Sequence, residues 1–263
     1  MRLPRLLRFA IPAVLVAALP LRAAEPEFRL VNEAGLPAAK VKALGPVFTG
    51  LGQRVYALLG TSDPGPVEAL LTREVDIGYY HQGRIWLPAD TDDADLRETW
   101  VHELAHHATG QDSSFLMKEG VASYTVEALW REDGRALPEG WPQYGQRLDA
   151  WVALFAARGQ LLPLDSYFAL PGYQGGVDGD FRSWQAYVVG GSFVGWLLRE
   201  HGIAAFRLAF ERGQPRDLQA LEKAWRADIA TARWPAFDPA EYLPARPRYQ
   251  RYVQRLAAAG AER

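Results

Sequence analysis

The chain has 263 residues, 49% of them hydrophobic and 12% aromatic, and a formal net charge of −2. That is enough chain and enough apolar surface to bury a core without disulfides, and the composition fits neither a disordered nor a fibrous protein. The near-zero charge argues against nucleic acid as a partner, and the absence of cysteine rules out thiolate ligands, a cysteine nucleophile and a lipidated N-terminal cysteine.

The first 24 residues read apart from the rest. Arg2, Arg5 and Arg8 form a basic head, Phe9 to Leu21 an apolar run broken by Pro12 and Pro20, and Ala23-Ala24 a small-residue end. This is the layout of a secretory signal peptide, and it points to an exported, periplasmic or secreted protein. The run is shorter than the roughly 20 residues of a membrane span, so no stable span is expected after cleavage. The cleavage site is poor, with Arg22 or Leu21 where a small residue is wanted, and an uncleaved anchor is the alternative. Removing residues 1–24 removes four arginines and no acid, taking the formal charge from −2 to −6.

Residues 25–263 read as one domain, with a sheet-containing part over 25–110 and a helical part over 111–263. Residues 27–31 alternate as a short strand. Val41, Leu44, Val47, Phe48, Leu51, Val55 and Leu58 recur at helical spacing between Ala38 and Leu59, and Gly60 stops them. Pro66 to Leu71 is a strand; Ile77–Tyr80 and Arg84–Leu87 flank a turn at residues 81–83 and form a hairpin. Asp92 or Asp93 caps the next helix, whose stripe of Leu96, Trp100, Leu104 and Ala108 faces a core and which ends at Gly110. A second helix runs from about Phe115 to Trp130, and further helices are expected near 142–158, 183–201, 203–212, 216–228 and 246–260. Gly-, Pro- and Asp-rich stretches at 132–141 and 160–182 read as loops, the second over a cleft. The DGD at 178–180 is too sparse for a calcium site. A small mixed sheet followed by helices is an α+β class.

Three of the five histidines fall within HELAHH, residues 102–107. On a helix, His102 and His106 are four apart and share a face opposite the apolar stripe, so both imidazoles can reach one Zn²⁺ at about 2.0–2.1 Å. Glu103 lies about 100° round the helix, beside the ion rather than on it, where it can take a proton from water. The alternative is a polar helix with two surface histidines. His107 points away from His106 and reads as a hydrogen-bonding or exposed residue. For the third ligand, Glu119 sits one turn into the second helix as His106 sits one turn from the end of the first, so a tight antiparallel pair brings them face to face. A solvated helix residue is its alternative, and Asp112 its competitor. The Asp112 pattern wants glycine at 109, which is Thr109, and a later methionine turn, whereas Met117 is the last methionine.

HELAHH followed by KEGVASY resembles the gluzincin clan of zinc metallopeptidases, and most closely the bacterial peptidase MA-like domains. The similar stretch runs from about Arg84 to Gly202 and includes QLLPLDSYF and AYVVGGSFVGWLLREHG. The resemblance implies a zincin-like fold, with His102, His106 and Glu119 as zinc ligands and Glu103 as catalytic base. It also implies a tyrosine on a later helix that points at the metal; Tyr187 is the candidate oxyanion donor, its alternative being a satisfied core tyrosine. His201, beside Gly202, reads as a helix C-terminal residue. Strand 84–87 is expected to be a sheet edge that pairs with the substrate backbone, with Trp86 and Tyr80 as cleft or core aromatics. No G-x-M-E-N-like strand precedes the helix, which weakens an exopeptidase reading. The expectation is an exported zinc metallopeptidase acting on a peptide or protein substrate. The alternatives are a zinc-stabilised binding protein with little turnover and a zinc hydrolase of another substrate. Nothing in the sequence sets the cleavage specificity or the oligomeric state.

Overall fold

A computed structural model describes residues 27–61 and 65–258, apart from the side chains of residues 176–178. The signal peptide read over residues 1–24 therefore lies outside the described residues, as does the side chain of Asp178. The chain runs β1 (Phe28–Asn32), α1 (Ala38–Leu59), β2 (Val67–Thr72), β3 (Tyr79–His81), β4 (Arg84–Pro88), α2 (Asp93–Thr109) and α3 (Phe115–Glu132). It continues as α4 (Leu148–Ala157), α5 (Leu164–Phe168), α6 (Gly176–Glu211), α7 (Leu218–Thr231), α8 (Pro239–Tyr242) and α9 (Pro247–Ala258). This is the α+β architecture expected from the sequence.

The sheet has the order β1-β2-β4-β3, with β1, β2 and β4 parallel and β3 antiparallel to β4. Val67 and the run Ala69–Thr72 of β2 are buried, as are Ile85 and Leu87 of β4, as suits strands inside the sheet. Gln82 and Gly83 both take positive φ (48° and 79°), the turn that lets β3 fold back on β4. That hairpin overturns one expectation. β4 lies between β2 and β3, so its backbone is paired on both sides, and the sheet edge nearest α2 is β3. Trp86 stacks on Tyr79 at 4.6 Å, while Tyr80 meets His107 edge-on at 5.4 Å.

The apolar stripe of α2 is buried throughout: Leu96, Trp100 and Leu104 at 0% exposure and Ala108 at 8%. Trp100 joins α2 to α1, stacking on Phe48 at 5.0 Å and donating its indole N–H to the Phe48 carbonyl at 2.9 Å. Sheet and helices share one continuous buried cluster.

Two helix boundaries differ from the sequence pattern. The helix expected from 142 begins at Leu148, because Tyr144 and Gly145 take positive φ (47° and 72°), which an α-helix excludes. The loop expected over 160–182 contains α5 and the start of α6. There, buried Asp180 is held by α9, with Arg248 2.5 Å from it and the Tyr252 hydroxyl donating to it, and by the Tyr173 hydroxyl of the preceding loop. A partner some seventy residues away thus fixes as helix a stretch whose own Gly and Asp content favours a loop. Gly202, with φ 77°, breaks α6 where the sequence separates two helices.

Candidate metal centre

The site is built by the ends of two helices. Asp92 caps α2, accepting from the backbone N–H groups of Ala94 (2.8 Å) and Asp95 (2.9 Å). Gly110 leaves the helix at φ 85°, and Ser114 caps α3. The short polar connection returns α3 antiparallel to α2, which brings Glu119 opposite the two histidines. Asp112 is exposed in that connection and outside the group.

Nε2 of His102 lies 3.3 Å and Nε2 of His106 3.5 Å from Glu119 Oε2, and the three donor atoms lie within 4.8 Å of one another. Ligands held at about 2.0–2.1 Å from a tetrahedral ion are about 3.3–3.4 Å apart, so this donor set fits zinc and leaves a fourth position open. All three side chains are largely shielded, with exposures of 18%, 7% and 14%. Glu103 is buried, and its charge reaches His106. The second ring nitrogen of His106, Nδ1, is buried and has no partner among the described residues.

Electrostatics bind the group together. Burial pushes the His106 imidazole down, but Glu119 and then Glu103 outweigh it and raise its pKa. Burial likewise pushes Glu119 up, yet His106 and His102 hold it well below the ordinary carboxylate range. Glu119 is therefore an anion ready to ligate a cation.

Tyr187, on α6, is brought to the same place. Its ring stacks on His102 at 6.2 Å and 18°, and meets Phe115 at 5.6 Å and Trp141 at 5.5 Å edge-on. Burial first, and then the charge and hydrogen bond of Glu119, push its phenol well above the ordinary value. The hydroxyl thus keeps its proton and is available as a hydrogen-bond donor. Its position depends on a close approach of α3 and α6: a Cβ added to Gly120 would lie 2.6 Å from the Gly190 carbonyl carbon, and one added to Gly190 2.6 Å from the Leu116 oxygen. Glycine at both sites lets the backbones touch.

The remaining candidates take other roles. His107 accepts or donates through Nδ1 with the Tyr56 hydroxyl at 2.9 Å, and burial lowers its pKa. His201 is exposed and packs on Trp196 at 5.0 Å. Two residues near this group carry no motif signal. Trp141 is delivered by an irregular loop that no periodicity signals. Glu98 stands four residues before His102, a spacing that places it on the metal face, and burial and then Asp95 push its carboxyl up to about 8.

No protein-family model matches the chain, and no curated protein sequence matches it. Among solved structures, an M1 zinc metallopeptidase from Deinococcus radiodurans is similar at 20% identity and a TM-score of 0.46, over 80% of this chain and 49% of that one. A two-domain M1 zinc metallopeptidase mutant bound to L-tryptophan is similar at 21% identity and a TM-score of 0.46, with the same coverage. A mutant from Deinococcus radiodurans bound to a Tyr-ser-ala substrate is similar at 20% identity and a TM-score of 0.45, over 78% of this chain and 48% of that one. The chain spans about half the length of these structures.

Proposed function

We propose that residues 25–263 form an exported zinc metallopeptidase domain, with His102, His106 and Glu119 as ligands, that hydrolyses peptide bonds in peptide or protein substrates. The observation that carries this reading is the shielded His-His-Glu donor set with a buried glutamate beside it. A site built only to brace the fold has no use for Glu103. Zinc bound there would polarise the scissile carbonyl and lower the pKa of water. Glu103 accepts the proton of the attacking water; as the C–O bond forms and the C–N bond breaks, it passes that proton to the leaving amine. Tyr187 donates its hydroxyl proton in a hydrogen bond to the oxyanion that develops on the carbonyl oxygen. Among the described residues no helix is long and apolar enough to cross a membrane. Export rests on the basic and apolar layout of residues 1–24.

The test is hydrolysis of a broad peptide library by the protein as isolated, after chelation, and after zinc is returned. Cleavage lost on chelation and restored by zinc supports the reading. A protein that binds one zinc and cleaves nothing would instead be a zinc-stabilised binding protein.

A further inference from the structure

Glu98 lies on the histidine face of α2, and the proposed chemistry leaves it without a task. Residues 98, 102 and 106 are successive members of an i, i+4 series, so Glu98 stands about one turn, or roughly 6 Å, along the helix from His102 on the same face. Its Oε2 lies against Gly140, 3.3 Å from where a Cβ on that residue would be. The next residue, Trp141, is the aromatic that packs on Tyr187. The Glu98 carboxyl group thus lies between α2 and the loop at Gly140, on the side of α2 that carries the histidines.

Arg248 lies over the Trp141 ring at 5.1 Å, but its guanidinium is paired with Asp180. Among the described residues Glu98 makes neither a hydrogen bond nor an ion pair, although the loop and helix leave it only partly exposed. Asp95, one turn earlier, adds a second negative charge instead of relieving the first. A carboxyl group half-buried without a partner is costly, and it serves neither the fold through a bond nor the metal through ligation. Such a group fits a cation that arrives with the substrate.

Resting on the peptidase reading, we propose that Glu98 is a specificity-determining residue that receives the ammonium or guanidinium group of a lysine or arginine side chain flanking the scissile bond. A side chain, and not the substrate's free N-terminus, suits the separation. An α-amine lies about 2.4 Å from its own carbonyl carbon, whereas Glu98 stands a helix turn from the metal ligands. A lysine or arginine stem spans that turn and lays its methylenes along Trp141.

The experiment uses zinc-loaded protein and peptides capped at both ends, identical except for lysine or norleucine at each position flanking the cleaved bond. A charge-assisted contact predicts a lysine-over-norleucine ratio in kcat/KM of about 10- to 100-fold at one position. In Glu98→Gln that ratio collapses to within about twofold, with zinc content retained. Glu98→Ala gives the same reading should the amide fold poorly. Binding of the same two peptides to zinc-loaded Glu103→Gln, measured by calorimetry, should show the same preference without turnover. Equal cleavage of both peptides, or a preference that survives Glu98→Gln, overturns the inference and leaves the peptidase reading standing. So does discrimination that appears only when the N-terminus is uncapped. Cleavage of neither peptide overturns both.

Discussion

Replacing Gly120 with alanine tests whether the close approach of α3 and α6 sets the geometry of the site. A Cβ at residue 120 would sit 2.6, 2.7 and 2.9 Å from C, O and Cα of Gly190. Ordinary contact is about 3.5–4.0 Å, so the two backbones must part by about 1 Å, and no rotamer change relieves a clash with main chain. Overpacking of this kind costs about 1–3 kcal/mol, against a gain of about 1 kcal/mol from alanine in a helix. The net is a loss of up to about 2 kcal/mol, which for a chain of this length lowers Tm by up to roughly 8 °C. Because Tyr187 and Glu119 flank the contact, a shift of about 1 Å also reduces turnover by as much as about 10². Gly50, inside α1, is the control: nothing lies within 4 Å of a Cβ there, so Gly50→Ala should raise stability by up to about 1 kcal/mol. Thermal and urea unfolding of the two variants, with kcat on the best library peptide, decide the matter. Gly120→Ala as stable and active as Gly50→Ala would refute the argument.

Three further outcomes follow from the site and the N-terminus. His102→Ala, His106→Ala and Glu119→Ala should each lose the zinc that Asp112→Ala keeps; metal analysis showing loss in Asp112→Ala and retention in Glu119→Ala would reassign the third ligand. Tyr187→Phe should lower kcat by about 10²–10³ with zinc content and fold unchanged. If the hydroxyl serves only packing, the change costs about 1 kcal/mol of stability and leaves kcat alone. Mass spectrometry of the exported protein should find a chain beginning near Ala24 or Glu25, and an intact Met1 in the membrane fraction would contradict cleavage.

The parts of the site that were legible in the sequence are those set by local periodicity. His102, Glu103 and His106 follow from helical spacing within four residues, and the α2 stripe of Leu96, Trp100, Leu104 and Ala108 fixes which way they face. Glu119 is marked as a candidate by two local signals, the stop at Gly110 and the start at Phe115, which together imply an antiparallel return. Sheet order is not legible, because β4 is paired with β2 on one side and with β3 on the other, and the residues of β4 alone do not name those neighbours. The helical start of α6 was hidden because Asp180 finds its partners, Arg248 and Tyr252, on α9. Trp141 reaches Tyr187 from a loop whose left-handed residues Tyr144 and Gly145 interrupt a helical pattern. These are tertiary choices that no short window contains.

Zinc content and peptide turnover, measured on the same samples of wild type and Glu103→Gln, decide whether Glu103 moves the proton. The exchange removes the base and leaves the three ligands, so zinc should stay near one equivalent while turnover falls by about 10²–10⁴. Turnover in Glu103→Gln equal to that of wild type, at equal zinc, would contradict a hydrolase in which Glu103 moves the proton.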